Sequence, residues 1–350
     1  MRIAIVNDVA LAVEALRRAV RAIPGAEVAW VARDGAEAIA ACARDRPDLV
    51  LMDLIMPRVD GVAATREIMR RSPCPVLVVT ASVRGNVGKV YEALGCGALD
   101  AVATPRLGLD GGIEGIAELA RKIATVEALA ADHDRPPQEA PAAAPAPMGT
   151  AAGSLRVLPA VVAIGASTGG PHALATLLGA LPADLAAAVV VVQHIDALFA
   201  AGLARWLARR TPLPVTAVTD TAPLRAGTIA LAAGEGHLVL GADLQLTVST
   251  EPAGALHTPS IDVFFESVAR RIGGRGCGVL LTGMGRDGAR GLLALRRAGF
   301  HTIAQDEATS VVYGMPHEAA RCGAAEQILP LGSIAEALMK LARPATHAAA

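Results

Sequence analysis

The chain has 350 residues, enough for two domains, and a net charge of -1 without basic clusters interleaved with aromatics, which argues against nucleic acid as a partner. Apolar residues make up 53% and aromatics 2%, so the cores are expected to be Ala, Val, Leu and Ile, and no apolar run approaches the roughly 18 residues of a membrane span. The five scattered cysteines, Cys42, Cys74, Cys96, Cys277 and Cys322, lack C-x-x-C spacing, so neither a disulfide framework nor a zinc site is implied.

The N-terminus reaches polar Asn7-Asp8 too early for a signal peptide, so a soluble, cytoplasmic chain with no membrane insertion is expected. Short apolar runs then alternate with amphipathic segments. Strands are predicted at 2–6, 27–32, 48–52, 75–80 and 98–103. Helices are predicted at 10–21, 35–44, 61–71, 86–94 and about 112–130. Such alternation implies βαβ units and a parallel sheet, with chemistry at the carboxyl ends of its strands. Those ends carry Asn7-Asp8, Asp53, Thr80-Ala81-Ser82 and Thr104-Pro105. Asp8 and Asp53 on one sheet edge suit a hard divalent cation such as Mg²⁺. An aspartate beside that cation can accept a phosphoryl group, and the Thr80 hydroxyl can bond a phosphoryl oxygen. Either acid alone reads more simply as a solvated strand end.

The segment Asp53-Leu54-Ile55-Met56-Pro57-Arg58-Val59-Asp60-Gly61 resembles the phosphoacceptor motif of response-regulator receiver domains, and Thr80-Ala81-Ser82 and Gly97-Ala98-Leu99-Asp100 continue the match. The resemblance implies a flavodoxin-like domain with a five-stranded parallel sheet over residues 1–125. It implies Asp53 as phosphoacceptor, Asp8 and Asp53 as Mg²⁺ ligands, Thr80 as the switch residue and a CheA-type histidine kinase as phosphodonor. Three positions depart from the pattern. Asn7 replaces the first of two acids, Thr104 replaces a lysine and Ala101 replaces an aromatic. The site thereby loses one charge at the metal and the cation that pairs with the phosphoryl group, which weakens the expected Mg²⁺ binding.

Five prolines fall between Arg135 and Pro147, within an Ala/Pro-rich stretch that has no hydrophobic period. Residues 126–155 are therefore expected to be an extended linker, and 343–350 an unstructured tail.

From 156 to 342 the alternation resumes. Strands are predicted at 160–165, 188–193, 214–218, 228–232, 237–240, 245–249, 278–282, 301–304 and 326–329. Helices are predicted at 172–181, 198–210, 260–272, 288–298, 313–321 and 333–341. This is α/β, mostly parallel, with an inserted pair or trio of antiparallel strands. Three strand ends deliver Ser167, His194 and Asp287. Those are the types of an acyl-transfer triad: His194 would take the Ser167 proton, and Asp287 would hold the imidazole tautomer. Amides around Gly169-Gly170 or Met284-Gly285 could bind an oxyanion. Taken singly, Asp287 before Gly288 could merely cap the next helix, and His194 could be a rim residue. The order serine, histidine, aspartate excludes the α/β-hydrolase fold despite Gly165-x-Ser167-x-Gly169. Nucleotide binding stays open as an alternative, although Ser167 breaks its glycine fingerprint. A non-catalytic docking platform is a second rival.

Four stretches together resemble the catalytic domain of chemotaxis protein-glutamate methylesterases, the CheB family. They are Gly165 to Pro171, Val192-Gln193-His194, Leu281 to Ala289 and Ala304 to Pro316. The resemblance implies a doubly wound fold, a Ser167–His194–Asp287 triad needing no cofactor, and Thr168, Gly169 and Met284 at the oxyanion or substrate pocket. It implies hydrolysis of glutamyl methyl esters on methyl-accepting receptors, deamidation of receptor glutamines, and a receiver that blocks the site until Asp53 is phosphorylated. The Asn7-Asp8 start and the Asp53-Leu54-Ile55-Met56-Pro57 variant are most similar to Wsp-type members, which serve surface sensing.

Overall fold

The computed structural model describes residues 1–80, 83–107, 113–132, 160–195, 197–253 and 257–342. The chain divides into two units, Met1–Pro137 and Gln138–Ala350. No helix among the described residues is long and apolar enough to cross a membrane.

The N-terminal unit runs β1 (Arg2–Val6), α1 (Ala10–Arg21), β2 (Glu27–Ala32), α2 (Gly35–Arg44), β3 (Leu49–Met52), α3 (Gly61–Arg71), β4 (Val76–Thr80), α4 (Val83–Gly95) and β5 (Asp100–Ala103). A two-stranded ladder of β6 (Arg106–Leu107) and β7 (Ile113–Glu114) precedes α5 (Ile116–Asp132). The five main strands form a parallel sheet in the order β2-β1-β3-β4-β5. Helix α1 buries Ala15, Leu16, Ala19 and Val20, a stripe at helical spacing, and carries Arg18 and Arg21 in its last turn, where they complement the helix dipole. Leu16, Ala19 and Val20 of that stripe pack with Ile3, Ile5, Leu49 and Leu51 of the sheet. Asp34 and Asp60 start α2 and α3 by accepting the amides of Glu37 and Ala63.

Two sequence expectations change here. The β6–β7 ladder was not foreseen, because two-residue strands show no periodicity. Helix α5 continues to Asp132, beyond the expected linker start at 126, and residues 133–159 lie outside the described residues. Ala81, Ser82 and the tail 343–350 also lie outside them.

The C-terminal unit opens with β8 (Ala160–Ala166), α6 (Gly170–Gly179), β9 (Ala187–Gln193), α7 (Ala197–Ala208) and β10 (Val215–Val218). Next come β11 (Thr221–Pro223), β12 (Ile229–Ala232), β13 (His237–Leu240), β14 (Gln245–Ser249) and α8 (Ile261–Arg271). It closes with β15 (Gly276–Leu280), α9 (Ala289–Arg297), β16 (His301–Gln305), α10 (Met315–Arg321), β17 (Gln327–Leu329) and α11 (Leu331–Ala342). Seven strands form a sheet ordered β10-β12-β9-β8-β15-β16-β17, and every adjacent pair is parallel. The antiparallel insertion is a trio, β11-β14-β13.

The chain leaves β8 toward β9 on one side and later returns to β15 on the other. The strand order therefore reverses at β8, and that is where an open α/β sheet forms its crevice. The expectation of a purely aliphatic core fails in this unit. All four phenylalanines, Phe199, Phe264, Phe265 and Phe300, are at most 4% exposed. Phe264 and Phe265 join Leu292 and Leu295 between α8 and α9.

Candidate active site

Ser167 follows the last residue of β8. Its amide donates to Thr282 O at 3.0 Å, and its carbonyl accepts Gly170 N at 2.8 Å and Gln193 Nε2 at 2.8 Å. The turn admits no bulk on two sides. Gly169 has φ 78°, and a Cβ there would lie 2.6 Å from Val311 Cβ. A Cβ on Gly283 would lie 2.6 Å from Ser167 Cβ. Thr282, given no role by the sequence, braces this turn. Its hydroxyl donates to Thr168 O at 3.0 Å and accepts Val312 N at 2.9 Å, while its amide donates to Gln305 Oε1 at 2.9 Å.

The register of β8 and β9 pairs Ala166 with Gln193, so Ser167 and His194 emerge side by side, with His194 N on Ala166 O at 2.9 Å. Asp287 arrives from the other flank, in the loop after β15. The two side chains meet: His194 Nε2 lies 2.7 Å from Asp287 Oδ2, and they are 9% and 10% exposed. With Nε2 on the carboxylate, Nδ1 is the nitrogen left for the serine. Among the described residues no hydrogen bond joins Ser167 Oγ to His194, a contact that commonly tightens only when substrate is bound.

Asp287 is not the cap of the helix it precedes. Its Oδ2 also accepts Ile261 N at 2.7 Å, and its Oδ1 accepts Ser260 Oγ at 2.9 Å and Asp262 N at 3.2 Å. It therefore sits on the N-terminus of α8. Asp262 reciprocates, accepting Gly288 N at 2.9 Å and Gly291 N at 2.7 Å at the start of α9. Burial alone would raise the Asp287 carboxyl. The His194 hydrogen bond and charge, with the Ile261 amide and Ser260 hydroxyl, outweigh it and hold the pKa at about 2. Asp262 is pushed up, by burial first and also by the charge of Asp287.

The residues expected at the pocket lie around the same turn. Thr168 is buried, Gly169 precedes α6, and Met284 is 39% exposed on the loop after β15. Because Ser167 N is held by Thr282 O, it is not free to bind an oxyanion. No hydrogen bond from the amides of Thr168, Gly169 or Met284 is formed with a described residue. Ser260 and Asp262 were missed by sequence reasoning. Their only signal, a serine and then an acid at a helix start, reads as ordinary capping.

In the N-terminal unit, Asp53 directly follows β3 and is buried, its Oδ1 accepting Leu54 N at 2.7 Å. Burial raises its pKa and the charge of Asp8 adds to the rise, against the amides of Leu54 and Ile55. Asp8 is exposed. Asn7 is buried, and its Oδ1 accepts Val9 N at 2.9 Å. Thr80 is buried at the end of β4, and Thr104 N donates to Thr80 O at 3.0 Å. The buried Thr104 hydroxyl has no hydrogen-bond partner among the described residues. No cluster of three or more metal-binding side chains occurs among the described residues.

Residues 3–106 match the response regulator receiver domain family, and residues 162–338 match the family described as CheB methylesterase. A protein-glutamate methylesterase/protein-glutamine glutaminase of Burkholderia thailandensis is 53% identical over 342 residues, covering 97% of each chain. One of Cupriavidus metallidurans is 51% identical over 339 residues, covering 97% of this chain and 98% of its own. The crystal structure of the Thermotoga maritima CheB methylesterase catalytic domain superposes with a TM-score of 0.51 at 33% identity, covering 53% of this chain and all of that one. With the seryl, histidyl and aspartyl turns all inside the matched region, the chain belongs to the CheB methylesterase family, with a receiver domain ahead of the catalytic one.

Proposed function

We propose that this chain is a serine esterase that hydrolyses glutamate methyl esters on methyl-accepting receptors, releasing methanol, and that it deamidates receptor glutamines. The observation that carries the reading is the 2.7 Å His194–Asp287 contact held at the strand end beside Ser167. Asp287 fixes the tautomer with the proton on Nε2, so Nδ1 presents a lone pair. Ser167 Oγ attacks the ester carbonyl while Nδ1 takes its proton. The tetrahedral oxyanion is met by the amides of Met284 and of Thr168 or Gly169. On collapse the C–O bond breaks, and imidazolium returns the proton to the leaving methoxide as methanol. Water then attacks the acyl-Ser167, with Nδ1 as base, and releases the glutamate carboxylate and free serine. With a glutamine the same steps expel ammonia. Methanol release from methylated receptor membranes tests this reading, and equal release by wild type and Ser167→Ala would sink it.

Regulation is read onto the N-terminal unit. Asp53 is the phosphoacceptor, a histidine kinase is its donor, and phosphorylation raises the esterase rate. The residues fit Mg²⁺: burial raises Asp53 and the charge of Asp8 adds to the rise, and a divalent cation held by both carboxylates would offset both effects. Asp8 and Asp53 would hold the ion, and Asn7, with its oxygen on Val9 N, would not. When bound, the ion offsets charge on the transferring phosphoryl oxygens. A small-molecule phosphodonor should speed methanol release by the full chain and leave Asp53→Ala unaffected.

A further inference from the structure

We infer that His257 is a positioning residue for His194, an inference that deepens the esterase reading and rests on it. The two imidazoles are stacked, with ring centroids 4.4 Å apart and planes inclined by 18°. Among the described residues, the Asp287 bond at 2.7 Å holds His194 at one ring nitrogen. One hydrogen bond fixes a point of the ring but not its plane, and the torsion that turns a histidine ring is broad. A second flat ring lying on the first removes that freedom and keeps Nδ1 facing the Ser167 turn.

The same short stretch of chain grips the other half of the pair. Three residues after His257, Ser260 begins the series of donors, Ser260 Oγ, Ile261 N and Asp262 N, that converge on Asp287. Ser260 is itself anchored, its amide donating to Nδ1 of the buried His237 at 3.0 Å, at the start of β13. Residues 257–262 thus form one strap, with His257 on the imidazole and Ser260 to Asp262 on the carboxylate. The stack acts through His194 rather than on the substrate and sets the angle of Nδ1 as the serine proton is transferred, so its loss bears on kcat more than on KM.

The test uses the full chain and methylated receptor membranes, with wild type, His257→Ala, His257→Phe and Ser167→Ala compared for kcat, KM and Tm. His257→Ala is expected to lower kcat about 10- to 30-fold with KM within about 2-fold, the scale of a misplaced catalytic group. His257→Phe, which restores a flat ring, should recover kcat to within about 3-fold of wild type. A wild-type kcat in His257→Ala, an equal loss in His257→Phe, or a change confined to KM would overturn the inference. A second readout needs no turnover. The downfield proton resonance of His194 Nε2–H should be present in wild type and His257→Phe and lost to solvent exchange in His257→Ala; its survival in all three overturns the inference. Methanol release that Ser167→Ala does not reduce would count against the esterase reading instead.

Discussion

Asp53 and Asp287 both stand at the strand-end edge of a parallel sheet, and each was singled out for that position. Asp53 is buried directly after β3, whereas Asp287 is half-buried in the loop that follows β15. Their acidities move in opposite directions: Asp287 is held down at about 2, whereas Asp53 is raised. The difference lies in what surrounds them. Asp287 receives an imidazole, a hydroxyl and two amides from one helix start. Asp53 has the amides of Leu54 and Ile55 and a second carboxylate nearby. A carboxylate that works as fixed scaffolding is fully satisfied by the protein. Asp53, the proposed acceptor of a cation and a phosphoryl group, is left in want of charge.

Several experiments would break or sharpen that contrast. The largest effect belongs to the nucleophile: Ser167→Ala should cut kcat for methanol release by about 10⁶-fold with Tm unchanged, since only the hydroxyl is lost. Asp287→Asn should lower kcat about 10⁴-fold, through loss of the tautomer. Unlike the serine variant, it should also lower Tm, because an amide cannot accept all four donors. Its counterpart Asp53→Asn should do the opposite and raise Tm at pH 7, since it removes a charge that burial and Asp8 disfavour; a fall would show that Asp53 is already satisfied. Stability against acid gives the next effect. Because the Asp287 pKa is depressed, its ionisation stabilises the fold by about 2 kcal/mol at neutral pH. That contribution is complete above about pH 4 and is lost as pH falls toward about 2, and urea titrations of wild type and Asp287→Asn across that window should converge at the acid end. The smallest effect expected is at the receiver: Asn7→Asp should tighten Mg²⁺ by about tenfold, or about 1.4 kcal/mol, by calorimetry.

Much of this was legible because strand ends are legible. Apolar runs such as Val161 to Ile164 and Ala188 to Val192 announce buried parallel strands, and whatever polar residue follows each run must stand at the sheet edge. Ser167, His194, Asp287 and Asp53 were all found this way, and the structure brings His194 and Asp287 into contact. The partners of those residues were not visible. Ser260 and Asp262 reach Asp287 and Gly288 across a gap in sequence that no local pattern encodes. The simplest local reading, Asp287 capping its own helix, named the wrong helix. Thr282 looked like a strand residue, yet β15 stops at Leu280 and Thr282 braces the serine turn from a loop. The three residues of β11 were likewise too short to show a period.

The exchange of aspartates between α8 and α9 bears on when the enzyme can first act. Asp287 is placed for His194 only if the start of α8 is docked beside it, and α9 is capped only if Asp262 has arrived there. Neither helix start is complete without the other. A chain in which these two helix starts are not docked leaves His194 without its Asp287 partner, so an oriented base beside Ser167 depends on the packing of α8 against α9 as much as on the strands that carry the residues.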